Sequence, residues 1–304
     1  MPPELLQLGD PVALDPKQFI GIPIALVGAV FLSFGAQFQH RGVAKVEANT
    51  HAAQKGLNVR QLLALLSRPS WVIGTLMLGL AIVFQLTSLG FSPIIVVQPL
   101  GAVALVITAV LNSRVSKMSL NRSSVISITL CVGGVAAFVL VAAFTAVDKP
   151  VTAEDLVIIL IILAVVLVLF GLTFAFFGRT FKAIAYIVGT GVLYGFVATL
   201  AKVVISRVFQ SEIDFLTVLA LIGLLAAAAL GGYFVQNAYA SGPPDLVIAG
   251  LTVIDPLVAV GIGILVLGEA SQAPPWAMFA YLAFGVVAIL GVFGLARYHP
   301  QAQR

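Results

Sequence analysis

Residues 71–112 read WVIGTLMLGLAIVFQLTSLGFSPIIVVQPLGAVALVITAVLN, and this stretch decides the fold. A bilayer core of ~30 Å takes about 20 apolar residues per helix. The stretch is long enough for two crossings, and Leu89-Gly90-Phe91-Ser92-Pro93 is the turn signal that divides them into a helical hairpin. There is no period-2 alternation, so the runs predict helices and not a β-barrel. Working outward, nine such spans are expected. They are Phe19–Gln39, Trp71–Gly90, Pro93–Asn112, Ser123–Ala146, Leu156–Phe177, Ala183–Val204, Phe215–Ala240, Asp245–Leu267 and Trp276–Ala296. Ser241-Gly242-Pro243-Pro244 marks a second hairpin.

Composition agrees. Of 304 residues, 61% are hydrophobic and 9% charged, against about half and about a quarter in a soluble domain. This excludes a soluble enzyme, a disordered tail and a nucleic-acid binder. Cys131 is the single cysteine, so no disulfide is available within the chain. Met1–Gln18 carries Glu4, Asp10 and Asp15 against Lys17 and makes a poor signal peptide, so the first span is expected to be retained.

The basic residues orient the spans. If nine spans alternate, one face receives Arg41, Lys45, Lys55, Arg60, Arg68, Arg114, Lys117, Arg122, Arg179, Lys182, Arg297 and Arg304. The other receives Lys17, Lys149 and Arg207. The positive-inside rule makes the first face cytoplasmic. The expectation is a multi-pass protein of the inner or plasma membrane with its N-terminus outside and its C-terminus cytoplasmic. The loop 41–70 contains Val59, Leu62, Leu63, Leu65 and Leu66 among polar residues. It reads as a short interfacial helix or as a gate over the cytoplasmic mouth.

A pattern recurs along the chain. A Gly/Pro turn followed by Val97-Gln98-Pro99-Leu100 is matched, after the second Gly/Pro turn, by Ile254-Asp255-Pro256-Leu257. The expected fold is all-α, an inverted repeat of 4 + 4 helices with one linker helix. Its parts are an extracytoplasmic segment 1–18, a first repeat 19–146, a linker 147–182, a second repeat 183–296 and a tail 297–304. In such architectures the solute site lies near the midplane between the repeats.

The stretch Phe91–Ala102, with Val97-Gln98-Pro99-Leu100-Gly101-Ala102, resembles the Val-x-Pro-Leu-Gly-Ala segment of the NIPA-type magnesium transporters. The run from Ile254 to Leu267-Gly268-Glu269 is similar to the Pro…Gly-Glu helix of EamA-type domains, and both belong to the drug/metabolite transporter superfamily. The resemblance covers most of Phe19 to Ala296. It implies a transporter and not an enzyme, working by alternating access on a small polar or amphiphilic solute. A flippase for a lipid-linked sugar or phosphate, a magnesium or divalent cation transporter and a non-transporting structural membrane protein are the alternatives. Magnesium selectivity does not come with the resemblance, because a hard cation wants several oxygen ligands and the spans offer Asp255 as their one deep acidic residue.

Seven residues are candidates for the substrate site: Asp255, Gln98, Gln236, Asn237, Lys202, Tyr194 and Gln85. Asp255 lies near the midplane, where an ionisable group costs roughly 2.5–3.5 kcal/mol to insert, and Pro256 behind it breaks the helix. Its role is either substrate or proton coupling, or tying helices together. Lys202 either snorkels to the headgroups or faces the solute. A direct Lys202–Asp255 pair is disfavoured by a depth difference of roughly 10–15 Å. The amides at Gln85, Gln98, Gln236 and Asn237 either bond across helices or line a pathway. Tyr186 and Tyr194 share a helix face and either line the pathway or pack. Gly191-x-x-x-Gly195 is a close-packing signal. Glu269 reads as a solvated helix end. No cofactor is implied. The expected partners are a small-molecule or lipid-like substrate, the membrane lipids and a second copy of the chain.

Overall fold

The computed structural model describes residues 19–50, 66–115, 121–177, 183–241 and 244–298. The segment 1–18, most of the interfacial helix expected near 59–67 and the tail 299–304 lie outside the described residues. The described residues form helices α1 (Gly21–Thr50), α2 (Pro69–Phe91), α3 (Ile94–Val115), α4 (Arg122–Thr145), α5 (Ala153–Phe177), α6 (Ala183–Phe209), α7 (Phe215–Ser241), α8 (Pro244–Leu265) and α9 (Pro275–Tyr298). Among the described residues nine helices are long and apolar enough to cross a membrane, and no strand occurs. One boundary differs from expectation. The cytoplasmic loop was expected to begin at residue 41, but α1 continues to Thr50.

Local chemistry sets the helix ends. Pro69 opens α2, where a missing N–H costs nothing. Asn121 caps α4, its Oδ1 accepting from the Ser124 N–H at 2.7 Å. Thr152 and Asp155 cap α5 reciprocally: the Thr152 N–H donates to Asp155 Oδ2 at 3.0 Å and the Asp155 N–H to Thr152 Oγ1 at 3.2 Å. Asp214 begins α7 by accepting from the Thr217 N–H and hydroxyl. α3 is not continuous. Pro99 supplies no N–H, and Gln98–Leu100 tighten into a 3₁₀ turn between Ile94–Val97 and the main helix.

The helices pair in a definite order. α1 packs on α2 and α3, and α6 packs on α7 and α8. α3 meets α4, α8 meets α9, and α3 with α8 and α4 with α9 join the two groups. α5 sits at the edge against α6 and α7, with Ile161, Val165, Val168, Leu169 and Leu172 exposed where lipid would lie. Small residues set the closest contacts, as expected where lipid removes any hydrophobic drive between helices. Gly134 of α4 lies against the Ala288 backbone of α9, and Gly291 of α9 against Cys131. The Gly191/Gly195 pair of α6 lies against Ile254, Asp255 and Val258 of α8, as the spacing predicted.

Candidate functional site

Five helices leave a cavity of about 480 Å³ between them. α1 contributes Ala25, Gly28, Ala29 and Leu32. α2 supplies Gln85 and Leu89, α3 Gln98 and Gly101, α6 Tyr194, Ala198 and Ala201, and α8 Thr252, Asp255 and Pro256. Each polar group arrives for a local reason. Gln98 and Asp255 each precede a proline, but only Pro99 interrupts its helix: α8 runs unbroken through Pro256, where a break was expected, because one missing N–H is tolerated inside the helix. Pro99 and Pro256 in turn share the wall of a smaller, 80 Å³ apolar pocket behind them. The two prolines therefore lie near one another, and the two polar residues before them line one cavity. Pro256 also lacks the N–H that a regular helix would offer the Thr252 carbonyl.

Asp255 is the charge-bearing member. Its Oδ1 is buried and has no hydrogen-bond partner among the described residues. The close α6–α8 contact holds it in place, since a Cβ on Gly195 would come within 3.0 Å of the Asp255 carbonyl. Tyr194, one position before Gly195, faces the cavity from α6, and its ring fills the space beside Gly231 of α7.

Of the seven residues singled out from sequence, Asp255, Gln98, Gln85 and Tyr194 come together on this wall. Lys202, Gln236 and Asn237 do not line it. Gln236 is exposed on α7, and the Asn237 Nδ2 donates to the Tyr233 carbonyl of its own helix at 2.8 Å. Tyr186 packs edge-on against Phe234, ring centroids 5.8 Å apart. Thr252 joins the wall unforeseen. It lies one helical turn before Asp255 and so on the same face, a spacing legible in the sequence.

Lys202 neither snorkels nor lines this cavity. It is 2% exposed, and its Nζ donates to the carbonyls of Leu89 at 2.9 Å and Ser92 at 3.0 Å. It is also paired with Asp148 at 2.9 Å. Glu269 corrects a second expectation. It is not a solvated helix end but 1% exposed. Its Oε1 accepts from the Ile94 N–H at 2.7 Å and its Oε2 from the Ile95 N–H at 2.8 Å. A carboxylate at the start of a helix meets the positive end of its dipole. Gly268, at φ +64°, turns the chain back so that Glu269 reaches α3. Asp148 was missed altogether, because nothing local in the sequence links it to Lys202.

Among the described residues, nine lipid-length helices surround a cavity lined by Asp255, the architecture of a polytopic membrane protein. The model of the family described as "Magnesium transporter NIPA" matches residues 16–205, well over half of the chain. The chain belongs to the NIPA magnesium transporter family, a family of membrane transporters and not of enzymes. It is also 25% identical over 282 residues to an uncharacterized protein of Corynebacterium glutamicum, an alignment that covers 92% of this chain and 96% of the relative. No solved structure matches the chain.

Proposed function

We propose that the chain moves a small hydrated cation of the magnesium type across the membrane by alternating access through this cavity. The observation that carries the reading is Asp255 Oδ1, buried in the cavity wall without a partner. A lone intramembrane carboxylate opposes insertion, so a cationic solute that meets it turns a structural cost into binding. Magnesium releases water reluctantly and is commonly held through one or two carboxylates with several waters kept. Six waters at ~30 Å³ each occupy roughly 180 Å³, well inside 480 Å³. Gln85, Gln98, Tyr194 and Thr252 offer oxygens to that water shell. Among the described residues no three His, Cys, Asp or Glu side chains gather, so the reading is of a hydrated ion and not one stripped in a cage of carboxylates. The family description points the same way.

The helix pairing supports the inverted repeat. α1 with α2 and α3 mirrors α6 with α7 and α8, while α3–α8 and α4–α9 pair across the groups. The charge distribution supports a cytoplasmic C-terminus, with one four-helix group rocking against the other.

A second reading rests on the apolar walls. Leu32, Ile82, Leu86 and Leu251 also line the cavity and would suit an amphiphilic organic cation. Proteoliposomes loaded with a magnesium-sensitive dye separate the two. Magnesium uptake by the wild type, reduced about tenfold or more in Asp255→Asn that still purifies as a monodisperse protein, is expected. Equal uptake by both proteins would remove Asp255 from the mechanism. No magnesium uptake, with uptake of a labelled hydrophobic quaternary amine instead, would favour the second reading.

A further inference from the structure

The cavity wall reaches Leu89 and Ala201 on the side where α2, α4, α6 and α8 finish, and polar side chains lie next to these residues. The Leu89 carbonyl is bonded to Lys202, the residue after Ala201. Just beyond, the Lys202 ammonium also holds the Ser92 carbonyl and Asp148, and Gly90 lies against Ile205 and Phe209. On the neighbouring side Glu269 takes the first two N–H groups of α3, while the Val147 N–H donates to the Glu269 carbonyl at 2.8 Å. Gly263 of α8 makes room for this, since a Cβ there would stand 3.0 Å from Glu269 Oε2. Five parts of the chain thus meet at two side chains: α2, the start of α3, the α4–α5 connection, α6 and the end of α8.

We propose that Lys202 and Glu269 together form the gate that closes the cavity at this face, and that their bonds to the α2–α3 turn must part for solute to pass there. The proposal rests on the reading of the cavity as a pathway open in turn to each face. Two features beyond position favour a gate over a permanent tie. The Lys202–Asp148 pair is only half-buried, with the Asp148 side chain 32% exposed, and such a pair is a weak source of net stability. The partners of both side chains are mostly backbone groups on either side of Pro93. Releasing them frees the start of α3 without dismantling a packed helix interface. Lys202 and Glu269 are positioning residues here, acting through α3 on Gln98.

The test is accessibility, which needs no knowledge of the solute. A cysteine placed at Ala201, inside the gate, is challenged with a membrane-impermeant thiol reagent from the face that bears Asp148. A cysteine at exposed Glu154 on the same face normalises the reagent, and Cys131, fully buried, takes up label only in unfolded protein. Slow labelling of Ala201→Cys is expected in the otherwise wild-type chain. Lys202→Met and Glu269→Ala should each raise it at least several-fold with Cys131 still silent. Labelling as fast as at Glu154 without either substitution, or labelling unchanged by both, overturns the gate. If both variants label Cys131, Asp148→Asn decides, since it removes the partner of Lys202 at the half-exposed end of the gate: faster Ala201→Cys labelling supports the gate, and no change overturns it. A change in labelling with no magnesium transport would overturn the proposed solute and leave the gate standing.

Discussion

The α6–α8 contact makes a prediction whose size can be worked out. Replacing Gly195 with alanine places a Cβ 2.6 Å from the Val258 Cβ and 2.7 Å from its Cγ1. Ordinary carbon contacts lie near 3.4–4 Å, so α6 and α8 must separate by about 1 Å or Val258 must abandon its place. Overpacking of this kind costs about 1–3 kcal/mol. Alanine also favours the helix over glycine by up to about 1 kcal/mol, which hides part of the loss. Gly261→Ala on α8 cancels that gain, because a Cβ there meets no described atom within 4 Å. The comparison of the two variants therefore isolates the clash. Thermal unfolding in detergent, followed by intrinsic fluorescence, should place the midpoint of Gly195→Ala roughly 2–12 °C below that of Gly261→Ala. Transport should fall as well, since the displaced segment carries Asp255. If the two variants unfold at the same temperature, α6 and α8 do not touch backbone to side chain at Gly195, and the account of how Asp255 is held is wrong.

Burial pushes the Glu269 carboxyl up from its ordinary value of 4.5 to about 7, against the opposing effect of Lys202 and the two α3 N–H groups, with Asp148 adding to the rise; Lys149 and Tyr281 also face this cluster. Released into water it would lose its proton near the ordinary 4.5, so the gain to the closed gate is whole below that value and is lost as pH rises to about 7. Labelling of Ala201→Cys from that face, normalised to Glu154→Cys, should therefore rise between pH 5.5 and 8, and Glu269→Ala should flatten the profile; a flat wild-type profile refutes this. Asn121→Ala removes the cap of α4 and should lower stability by about 1 kcal/mol, read in the same unfolding assay as a loss that Asn121→Ser largely restores. Epitope tags at the two ends should be reached in intact cells at the N-terminus and after permeabilisation at the C-terminus; the reverse would overturn the orientation drawn from the basic residues.

The spans were legible because lipid imposes a length and a composition that soluble folds do not. Leu89–Pro93 and Ser241–Pro244 could divide long apolar runs because Gly and Pro act through their own backbone. The cavity was half legible for the same reason. Gln98 and Asp255 announce themselves as polar residues before prolines inside apolar helices, and Thr252 shares the face of Asp255. Lys202 and Glu269 were misread because their meaning depends on groups far along the chain. A lysine near a helix end looks alike whether it reaches headgroups or two carbonyls of another helix. Glu269 after Gly268 looks solvated until the chain reversal at φ +64° carries it to Ile94. Gln236 and Asn237 show the opposite failure. An amide in a span suggests a pathway by residue type, but which way α7 turns its faces is settled by its packing on α6.

The seam between α4 and α9 has a consequence for how the protein is made. Cys131 and Gly134 are shaped to receive Gly291 and Ala288. Those residues leave the ribosome about 160 residues later, roughly 8–30 s at 5–20 residues per second. Throughout that interval α4 stands in the bilayer with its glycine face turned to lipid or to a passing helper. Helices α1 to α3 have each other from the start, but α4 waits for α9. Biogenesis would then include a late docking step, and a chain broken off before residue 275 would leave the α4 face without its partner, ready substrate for membrane proteolysis.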